Sequence, residues 1–356
     1  MTWSWFHRLL SRRGRPFTAS RFRTPRRPSS LPAMIELLEP RQLPAAPAVS
    51  PTLSAADDGV VTLAVSTGEW QATRFDGSQF VAESLTTWSS IPEDIVTVQG
   101  DLWATGQKQL VHFEPATGLF QAEWISGSAN SQGTVAGWMS GMDLQFLTAR
   151  DLDHNGFDDL IAMDRHTGNW ALSTFHAGNQ SDSRFVGTWR ADVNWQHVQF
   201  ADLNADGWDD VVGYNPGDRT WNALLGGSSS FTPVTFTDST PAANIVDVRL
   251  ADFDSRAGTD ILYRNTTSGN WTAISLVSGQ FQARTVGTWS TSGTWTDVLA
   301  VDFWGLGREA IVGRNVQSNQ WQMTWSVGSG MTTAPISIWG TGSYADAFIA
   351  DLNRDG

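Results

Sequence analysis

Cysteine is absent from this sequence of 356 residues, which excludes disulfide bonds, thiolate metal sites and cysteine nucleophiles. The sequence also lacks an apolar run of roughly 20 residues, the length that a membrane-spanning helix requires. No window places its apolar residues at helical spacing, so α-helices are not expected. These absences favour a sheet-rich protein with no membrane span.

Recognisable catalytic motifs are missing as well. The sequence contains no H-E-x-x-H, G-x-S-x-G or P-loop pattern, each of which would mark a metal, a nucleophile or a phosphate site. The six histidines are scattered along the chain: His7, His112, His154, His166, His176 and His197. We therefore predict that the chain is not an enzyme, with part of a polysaccharide-degrading enzyme as an alternative.

Negative charge is in excess and unevenly distributed. The formal net charge is −13, whereas residues 1–50 contain nine arginines and only two acidic residues, Glu36 and Glu39. The remainder of the chain is therefore strongly acidic. Such a body repels the phosphates of nucleic acids and attracts divalent cations, so a nucleic-acid partner is not expected.

Residues 1–56 form the first predicted domain, a disordered targeting or sorting segment rich in Arg and Pro that ends in a Pro/Ala linker. Within it, residues 35–43 (IELLEPRQL) resemble the LEPR-xLL sorting-type motif of large exported proteins from planctomycete-like bacteria, with Pro44 in place of a second leucine. The resemblance implies export to the cell surface or the extracellular space. The alternatives are a twin-arginine signal at residues 11–13, which no apolar segment follows, and a true start at Met34.

Residues 57–356 form the second predicted domain, in which the sequence repeats itself about every 50 residues. The first series of repeated residues is aromatic: Trp70, Phe120, Trp170, Trp221, Trp271 and Trp321. The second series comprises Trp88, Trp138, Trp189, Ser239, Trp289 and Trp339. The third is an aspartate that ends an apolar run: Asp101, Asp151, Asp202, Asp252, Asp302 and Asp351. Three series with one period establish the repeat.

Each repeat contains four short segments typical of strands, separated by Gly-, Asn- and Ser-rich turns. Four short strands in such a unit are typical of a propeller blade, so we predict an all-β fold, a β-propeller of about six four-stranded blades. Both tryptophan series would pack between blades, the alternative being exposed platforms for sugars. Residues 344–350 supply only a first strand, which would complete the blade begun near residue 57 and close the ring. The alternative is a natural chain that continues past Gly356.

Two loops after the first strand fit the pattern D-x-[DN]-x-[DN]-G-x-x-D. Side chains at positions 1, 3, 5 and 9 and the carbonyl at position 7 would offer oxygen ligands to Ca²⁺, while glycine at position 6 permits the sharp turn. The predicted ligands are Asp151, Asp153, Asn155, Phe157 and Asp159 in one loop and Asp202, Asn204, Asp206, Trp208 and Asp210 in the next. An EF-hand is excluded because position 12 is Ala162 or Gly213. The alternative is an Asx-rich turn without metal.

The other copies of this loop have lost ligands. Weaker candidates remain in two of them: Asp252, Asp254 and Asp260 in one, and Asp351, Asn353 and Asp355 in the other. Arg256 stands at position 5 of the first, so either Ca²⁺ or the guanidinium of Arg256 is expected to occupy that loop. In a closed ring, Asp57 or Asp58 would complete the second. The copies that begin at Asp101 and Asp302 are predicted to be metal-free, since Trp occupies position 3 in both.

These loops, the strands after them and the 50-residue period resemble FG-GAP/VCBS repeats, the unit of the integrin α-chain propeller and of many bacterial surface proteins. The resemblance implies calcium-stiffened loops and a role in adhesion or ligand binding. We therefore predict an exported, monomeric, non-catalytic interaction module with Ca²⁺ as its cofactor and a surface protein or glycan as its partner. A lectin that binds glycans between blades is the alternative. Trp195 and Trp295 are its candidate sugar-stacking residues, although their place in the first strand favours the core.

Overall fold

A computed structural model describes residues 59–64, 66–75, 78–87, 96–126, 129–254, 256–327 and 330–338. All of them belong to the unit Ser50–Gly356. The described residues form 23 β-strands and one turn of 3-10 helix at Ala242–Asn244, and no α-helix. The predicted tail, the boundary at residue 56 and the closing strand at 344–350 lie outside the described residues, so they stay predictions. In the part of the chain that the structure describes, no helix is long and apolar enough to cross a membrane.

The strands pair in six antiparallel sheets, in which neighbours in the sheet are also neighbours in the chain. We number the sheets as blades 1 to 6 in chain order. Blade 1 has three described strands: β1 (Gly59–Ala64), β2 (Glu69–Phe75) and β3 (Phe80–Thr87). Blade 2 has four: β4 (Thr97–Gly100), β5 (Gln109–Glu114), β6 (Leu119–Ser126) and β7 (Ala129–Gly137). Blade 3 contains β8 (Leu144–Arg150), β9 (Asp159–Asp164), β10 (Asn169–His176) and β11 (Gln180–Thr188).

The last three blades repeat the same plan. Blade 4 contains β12 (Gln196–Ala201), β13 (Asp210–Asn215), β14 (Thr220–Leu225) and β15 (Thr232–Thr237). Blade 5 contains β16 (Ile245–Ala251), β17 (Asp260–Asn265), β18 (Asn270–Val277) and β19 (Gln280–Thr288). Blade 6 contains β20 (Trp295–Val301), β21 (Ala310–Asn315), β22 (Gln320–Val327) and β23 (Gly330–Ile338). The predicted all-β fold of repeated four-stranded sheets is confirmed.

Burial changes from strand to strand within a blade. In blade 3, every residue of β9 is buried, whereas β11 is mostly exposed. A strand covered on both faces must be apolar along its length, and β9 accordingly contains an unbroken Leu-Ile-Ala-Met run. First strands lie side by side in three pairs of successive blades, β4 with β8, β12 with β16 and β16 with β20, and so do several fourth strands. In blade 3, the fourth strand forms the solvent-facing edge.

The first strand of blades 3 to 6 contains a β-bulge. The pairing register shifts there, and a residue with positive φ occupies the bulge: Phe146 (60°), His197 (53°), Asp247 (55°) and Asp297 (52°). In blades 5 and 6 this residue is a partly buried aspartate that forms an ion pair with a buried arginine of the second strand. The Nε atoms of Arg264 and Arg314 each lie 2.8 Å from Oδ2 of Asp247 and Asp297, respectively. Blade 3 has Phe146 and Met163 at the same two places, so an apolar pair replaces the charged one.

The described aromatic members of both series pack in the core, as predicted. All six members of the first series are buried: Trp70, Phe120, Trp170, Trp221, Trp271 and Trp321. In the second series, Trp189 and Trp289 are buried and meet Trp170 and Trp271 edge-to-face at 5.0 Å. Trp88 and Trp339 lie outside the described residues. The tryptophans are therefore the repeated core positions.

The described tryptophans of the second series, Trp138, Trp189 and Trp289, contact the following blade. The indoles of Trp189 and Trp289 lie over Gly213 and Gly313, where an added Cβ would come within 2.9 and 2.6 Å of the ring. In blade 4 the series is interrupted by Ser239, and the matching glycine of blade 5 is replaced by Tyr263. Tyr263 is buried and donates a hydrogen bond of 2.7 Å to Asp238. At each of these junctions, a large residue on one side is thus matched by a small residue at the aligned place on the other.

Candidate metal centre

The candidate ligands lie in the loop that joins the first and second strands of each blade. We number the loops after their blades and count positions from the first aspartate, so that loop 3 is Asp151–Asp159 and loop 4 is Asp202–Asp210. The aspartate at position 1 accepts the N–H groups at positions 5 and 6. In loop 3, Asn155 and Gly156 donate to Asp151 at 2.9 and 2.8 Å. The two N–H groups thus hold the turn closed around one carboxylate.

The turn itself does not depend on a full set of ligands. Position 4 has a positive φ in loops 2, 3 and 4, with 51° at Ala104, 54° at His154 and 59° at Ala205. Loop 2 also makes the bonds at position 1, since Thr105 and Gly106 donate to Asp101 at 3.0 and 2.6 Å. Loop 2 has no acidic residue at positions 3 and 5. The ligand set, rather than the shape of the turn, therefore distinguishes the candidate metal loops.

Loop 3 brings three carboxylates together. Oxygens of Asp151, Asp153 and Asp159 lie within 4.8 Å of one another. Within the described residues, no second trio of His, Asp or Glu side chains converges as closely. The amide of Asn155 lies in the same loop, where its oxygen accepts the N–H of Phe157 at 2.8 Å. The side chain of Phe157 packs against the core, which leaves its carbonyl as the group that the pattern assigns to metal.

Asp159 is fully buried and holds the loop to two strands. Its Oδ2 accepts the N–H of Leu152 at 3.2 Å, and its Oδ1 accepts the N–H of Phe175 at 2.9 Å. Burial raises the pKa of Asp159 to about 7, with the nearby charge of Asp153 adding to the shift. Burial and the charge of Asp151 also raise the pKa of Asp153. A divalent cation among these groups would favour their ionised forms.

The residue at position 9 has a backbone role that the sequence analysis missed. In loop 4, Asp210 accepts the N–H groups of Leu203 and Gly226 at 2.8 and 2.6 Å, and burial raises its pKa to about 7. In loop 2 the same place holds buried Gln109, whose Oε1 accepts the N–H of Leu102 at 2.7 Å. The neutral amide of Gln109 thus accepts the N–H at position 2, as the carboxylate of Asp210 does in loop 4. The sequence could have revealed this role, because loop 2 lacks the other ligands and yet has a hydrogen-bonding side chain, Gln109, at position 9.

Loop 4 holds its polar side chains differently. The amide of Asn204 donates to Oδ2 of Asp206 at 2.9 Å, while its oxygen accepts the N–H of Asp206, also at 2.9 Å. Asp202 accepts the N–H groups of Asp206 and Gly207 at 3.2 and 2.9 Å. The side chain of Trp208 packs against the core. The predicted ligands therefore share one loop, but their oxygens accept hydrogen bonds from the Asn204 amide and from backbone N–H groups.

Loop 5 already contains cationic groups. Asp254 forms an ion pair with Arg256, whose Nε lies 3.7 Å from Oδ2, and also with Arg284 on β19. Replacement of the ion by a guanidinium was one of the two predicted alternatives for Arg256 and was not predicted for Arg284. Asp252 and Asp260 remain at positions 1 and 9, and burial raises the pKa of Asp260 to about 6. The predicted ligands Asp351, Asn353 and Asp355, with Asp57 and Asp58, lie outside the described residues.

The backbone N–H at position 8 of loops 3 to 6 donates a hydrogen bond to the loop of the preceding blade. The side chain of Asp158 accepts the N–H of Asp101 at 2.8 Å, while its own N–H donates to the Asp101 carbonyl at 3.0 Å. Glu309 makes the same two contacts with Asp252, both at 2.7 Å. The sequence analysis assigned no role to these acids. They join loop 2 to loop 3 and loop 5 to loop 6 through the same pair of hydrogen bonds.

The two tryptophans proposed for sugar stacking are buried. Trp195 and Trp295 pack against Trp189 and Trp289 with ring centroids 4.5 Å apart. Their Nε1 groups donate to the carbonyls of residues 190 and 290 at 3.2 and 2.9 Å. They form part of the core, as their place in the first strand indicated, and cannot stack on a ligand.

Comparison with known proteins identifies the fold. No protein-family model and no curated protein matches the sequence. Among solved structures, the chain resembles a lectin from Agrocybe aegerita that recognises non-reducing terminal N-acetylglucosamine, with a TM-score of 0.55 and 15% identity over 75% of this chain and 74% of the lectin. The chain folds as a β-propeller. At this identity the likeness establishes the fold alone, and the predicted propeller is confirmed.

Proposed function

We propose that this chain is an exported, calcium-binding β-propeller that acts as a non-catalytic binding module. The observation that supports the proposal most strongly is the convergence of Asp151, Asp153 and Asp159 within 4.8 Å. The candidate ligands are all oxygens, which favours Ca²⁺ over metals that prefer nitrogen or sulfur. Their loops resemble those of FG-GAP/VCBS repeats.

Calcium would act on stability in this proposal. Oxygen sites in extracellular modules bind Ca²⁺ with dissociation constants of about 10⁻⁴–10⁻³ M, a range suited to an exported protein. The proposed export rests on residues 35–43, which lie outside the described residues. An ion that binds only the native state raises its stability by mass action. Calcium would thus hold the hairpin between the first two strands of blade 3.

The test is a thermal melt of the full chain in excess Ca²⁺ and in chelator. We expect Ca²⁺ to raise the melting temperature of the wild type and Asp153→Ala to lose most of that rise. Asp192→Asn is the matched control, because it removes one exposed charge outside the loops. Equal melting curves of the wild type in both conditions would contradict calcium binding. An equal loss of the rise in both variants would show a charge effect rather than a site.

A lectin is the second candidate function. It is favoured by the fold that the chain shares with the Agrocybe aegerita lectin. Binding of fluorescent glycans by the full chain in Ca²⁺ tests it. Retention of one class of glycan would support the lectin, and retention of none would exclude it. The prediction that the chain is not an enzyme and the prediction that it is a monomer remain untested predictions.

A further inference from the structure

The two loops that were predicted to be metal-free share a substitution. At position 3, loops 3, 4 and 5 have Asp153, Asn204 and Asp254, whereas loops 2 and 6 have Trp103 and Trp304. A second difference follows the first. On the third strand, blades 3, 4 and 5 have Thr174, Leu225 and Ser275 at one aligned place, whereas blades 2 and 6 have Trp124 and Trp325. The two tryptophans are thus present together or absent together.

The paired tryptophans are in contact in both blades, but the two pairs differ in packing. In blade 2, Trp103 and Trp124 meet edge-to-face with centroids 4.6 Å apart, and both pack against a buried core cluster. In blade 6, the centroids of Trp304 and Trp325 are 6.2 Å apart at an interplanar angle of 46°. Trp304 is 49% exposed. Trp325 packs against the core cluster of blade 6, so this pair is the more open of the two because Trp304 is exposed whereas Trp103 is partly buried.

The open pair frames a cleft of about 170 Å³, which Leu306, Arg308, Glu309 and Ser326 also line. Leu306 is 60% exposed, and the adjacent Phe303 is exposed as well. Exposed apolar side chains that cluster beside polar groups are typical of binding sites. Clefts that enclose drug-sized ligands usually measure about 300–1,000 Å³, so this one suits a single small ring.

The polar groups of the cleft restrict the chemistry of that ring. Arg308 supplies hydrogen-bond donors and lies 3.4 Å from the Ser326 hydroxyl, while Glu309 supplies an acceptor. One cation and one anion at the same rim favour a neutral ligand with several hydroxyl groups. The indole faces carry partial negative charge and attract the C–H groups on the apolar face of a sugar.

We infer that the Trp304–Trp325 cleft of blade 6 binds the pyranose ring of a neutral saccharide. The ring stacks on the indoles, and its hydroxyl edge meets Arg308, Glu309 and Ser326. This inference rests on the lectin function proposed above and is independent of the calcium-binding proposal, because loop 6 lacks the acidic residues at positions 3 and 5. Loop 6 has therefore exchanged the polar position of a candidate metal loop for a saccharide-stacking tryptophan.

The test measures the intrinsic tryptophan fluorescence of the full chain during titration with methyl glycosides of glucose, galactose, mannose and N-acetylglucosamine. We expect at least one glycoside to bind, Trp304→Ala to weaken that binding at least tenfold, and Trp304→Phe to retain most of it. Phe185→Ala is the matched control, since it removes an exposed ring on blade 3 that does not line the cleft. Calcium-dependent melting, measured in parallel, should be the same in all four proteins.

Each other outcome overturns the inference and indicates why. Glycoside binding that Trp304→Ala leaves intact would place the saccharide elsewhere and preserve the lectin function. Failure of all four glycosides to bind, with a calcium-dependent melt retained, would exclude the saccharide cleft without affecting the calcium-binding module. Binding of an aromatic-rich peptide instead would assign the cleft to a protein partner. Binding confined to a sialylated probe would contradict a neutral ligand.

Discussion

The indole of Trp189 covers Gly213 of the following blade so closely that an added Cβ would lie 2.9 Å from the ring. The φ of Gly213 is not positive, so its backbone conformation does not require glycine. Glycine is required there because the indole leaves no room for a Cβ. We predict that Gly213→Ala destabilises the protein by about 1–3 kcal/mol, the usual cost of overpacking a dense core. Urea unfolding in chelator measures it.

Gly133→Ala serves as the control for this substitution. It also adds a methyl group to a strand, but its nearest neighbour, Trp124, lies at an ordinary 3.5 Å. The control should unfold at the same urea concentration as the wild type or a higher one. Equal stability of Gly213→Ala and Gly133→Ala would show that the junction relaxes around the added atom.

Exchange of the large and small residues at one junction provides a second prediction. Tyr263→Gly removes a buried aromatic ring and should cost about 3–5 kcal/mol, as such deletions do. Ser239→Trp alone should add a ring where Tyr263 already occupies the space. The double variant gives this junction the tryptophan and glycine that Trp189 and Gly213 form at the previous junction. It should therefore be more stable than the sum of the two single effects indicates. Strict additivity in urea unfolding would contradict this pairing.

The ion pair of blade 6 supports a third prediction. Asp297→Ala removes the carboxylate bound to Arg314 and should cost up to about 3 kcal/mol, because the buried guanidinium loses its ion pair but keeps its bond to Asn319. Asp297→Phe combined with Arg314→Met reproduces the residues of blade 3 and should recover most of the loss. Asp218→Ala is the control: it breaks an exposed pair with Arg190 and should cost less than about 1 kcal/mol. Equal losses in the single and double variants would contradict the exchange.

The free energy of unfolding should depend on pH when Ca²⁺ is removed by a chelator. The pKa of Asp159 and that of Asp210 are about 7 in the folded protein and about 3.9 in an unfolded chain. The folded state therefore holds more protons between these values, so this contribution to stability is present at low pH and is lost as pH rises towards 7. In chelator, the free energy of unfolding should fall between pH 5 and pH 7.5.

A variant isolates the contribution of Asp159 to this pH dependence. Asp159→Gln introduces the neutral residue that loop 2 carries at position 9, where Gln109 makes the equivalent backbone bond. Its free energy of unfolding should fall less over the same pH range than that of the wild type. Identical pH profiles in urea unfolding would show that Asp159 does not titrate with a raised pKa.

The sequence predicted what recurs within one repeat. The 50-residue period located the strands, both tryptophan series and the turn that Asp151 closes. The contacts between repeats were missed, because the two residues of each contact belong to different blades. The pattern within one repeat does not indicate which residue of the next blade each one meets. Asp158 bonds to Asp101 in the preceding blade, and Trp189 covers Gly213 in the next. Comparison of successive repeats could have revealed the second contact, since Ser239 coincides with Tyr263.

The saccharide cleft was missed for another reason. In the sequence, Trp304 indicated only that position 3 of loop 6 has lost a metal ligand, and it gave no sign of a binding role. Its partner Trp325 lies on the third strand, and no pattern connects the two until the fold places them together. The openness of this pair, compared with the pair of Trp103 and Trp124, depends on packing rather than on residue type.

The matched residues at the blade junctions limit how such a chain can lengthen or shorten during evolution. A duplicated blade 5 would place Tyr263 after Trp289 at the new boundary, and two bulky rings would compete for one space. A duplicated blade 4 would instead place a second Gly213 after Ser239 and leave a void. We therefore expect duplication of a blade to be tolerated only where the two residues at the new junction match in size. The unit that must be preserved in this propeller is the interface between two blades rather than the single blade.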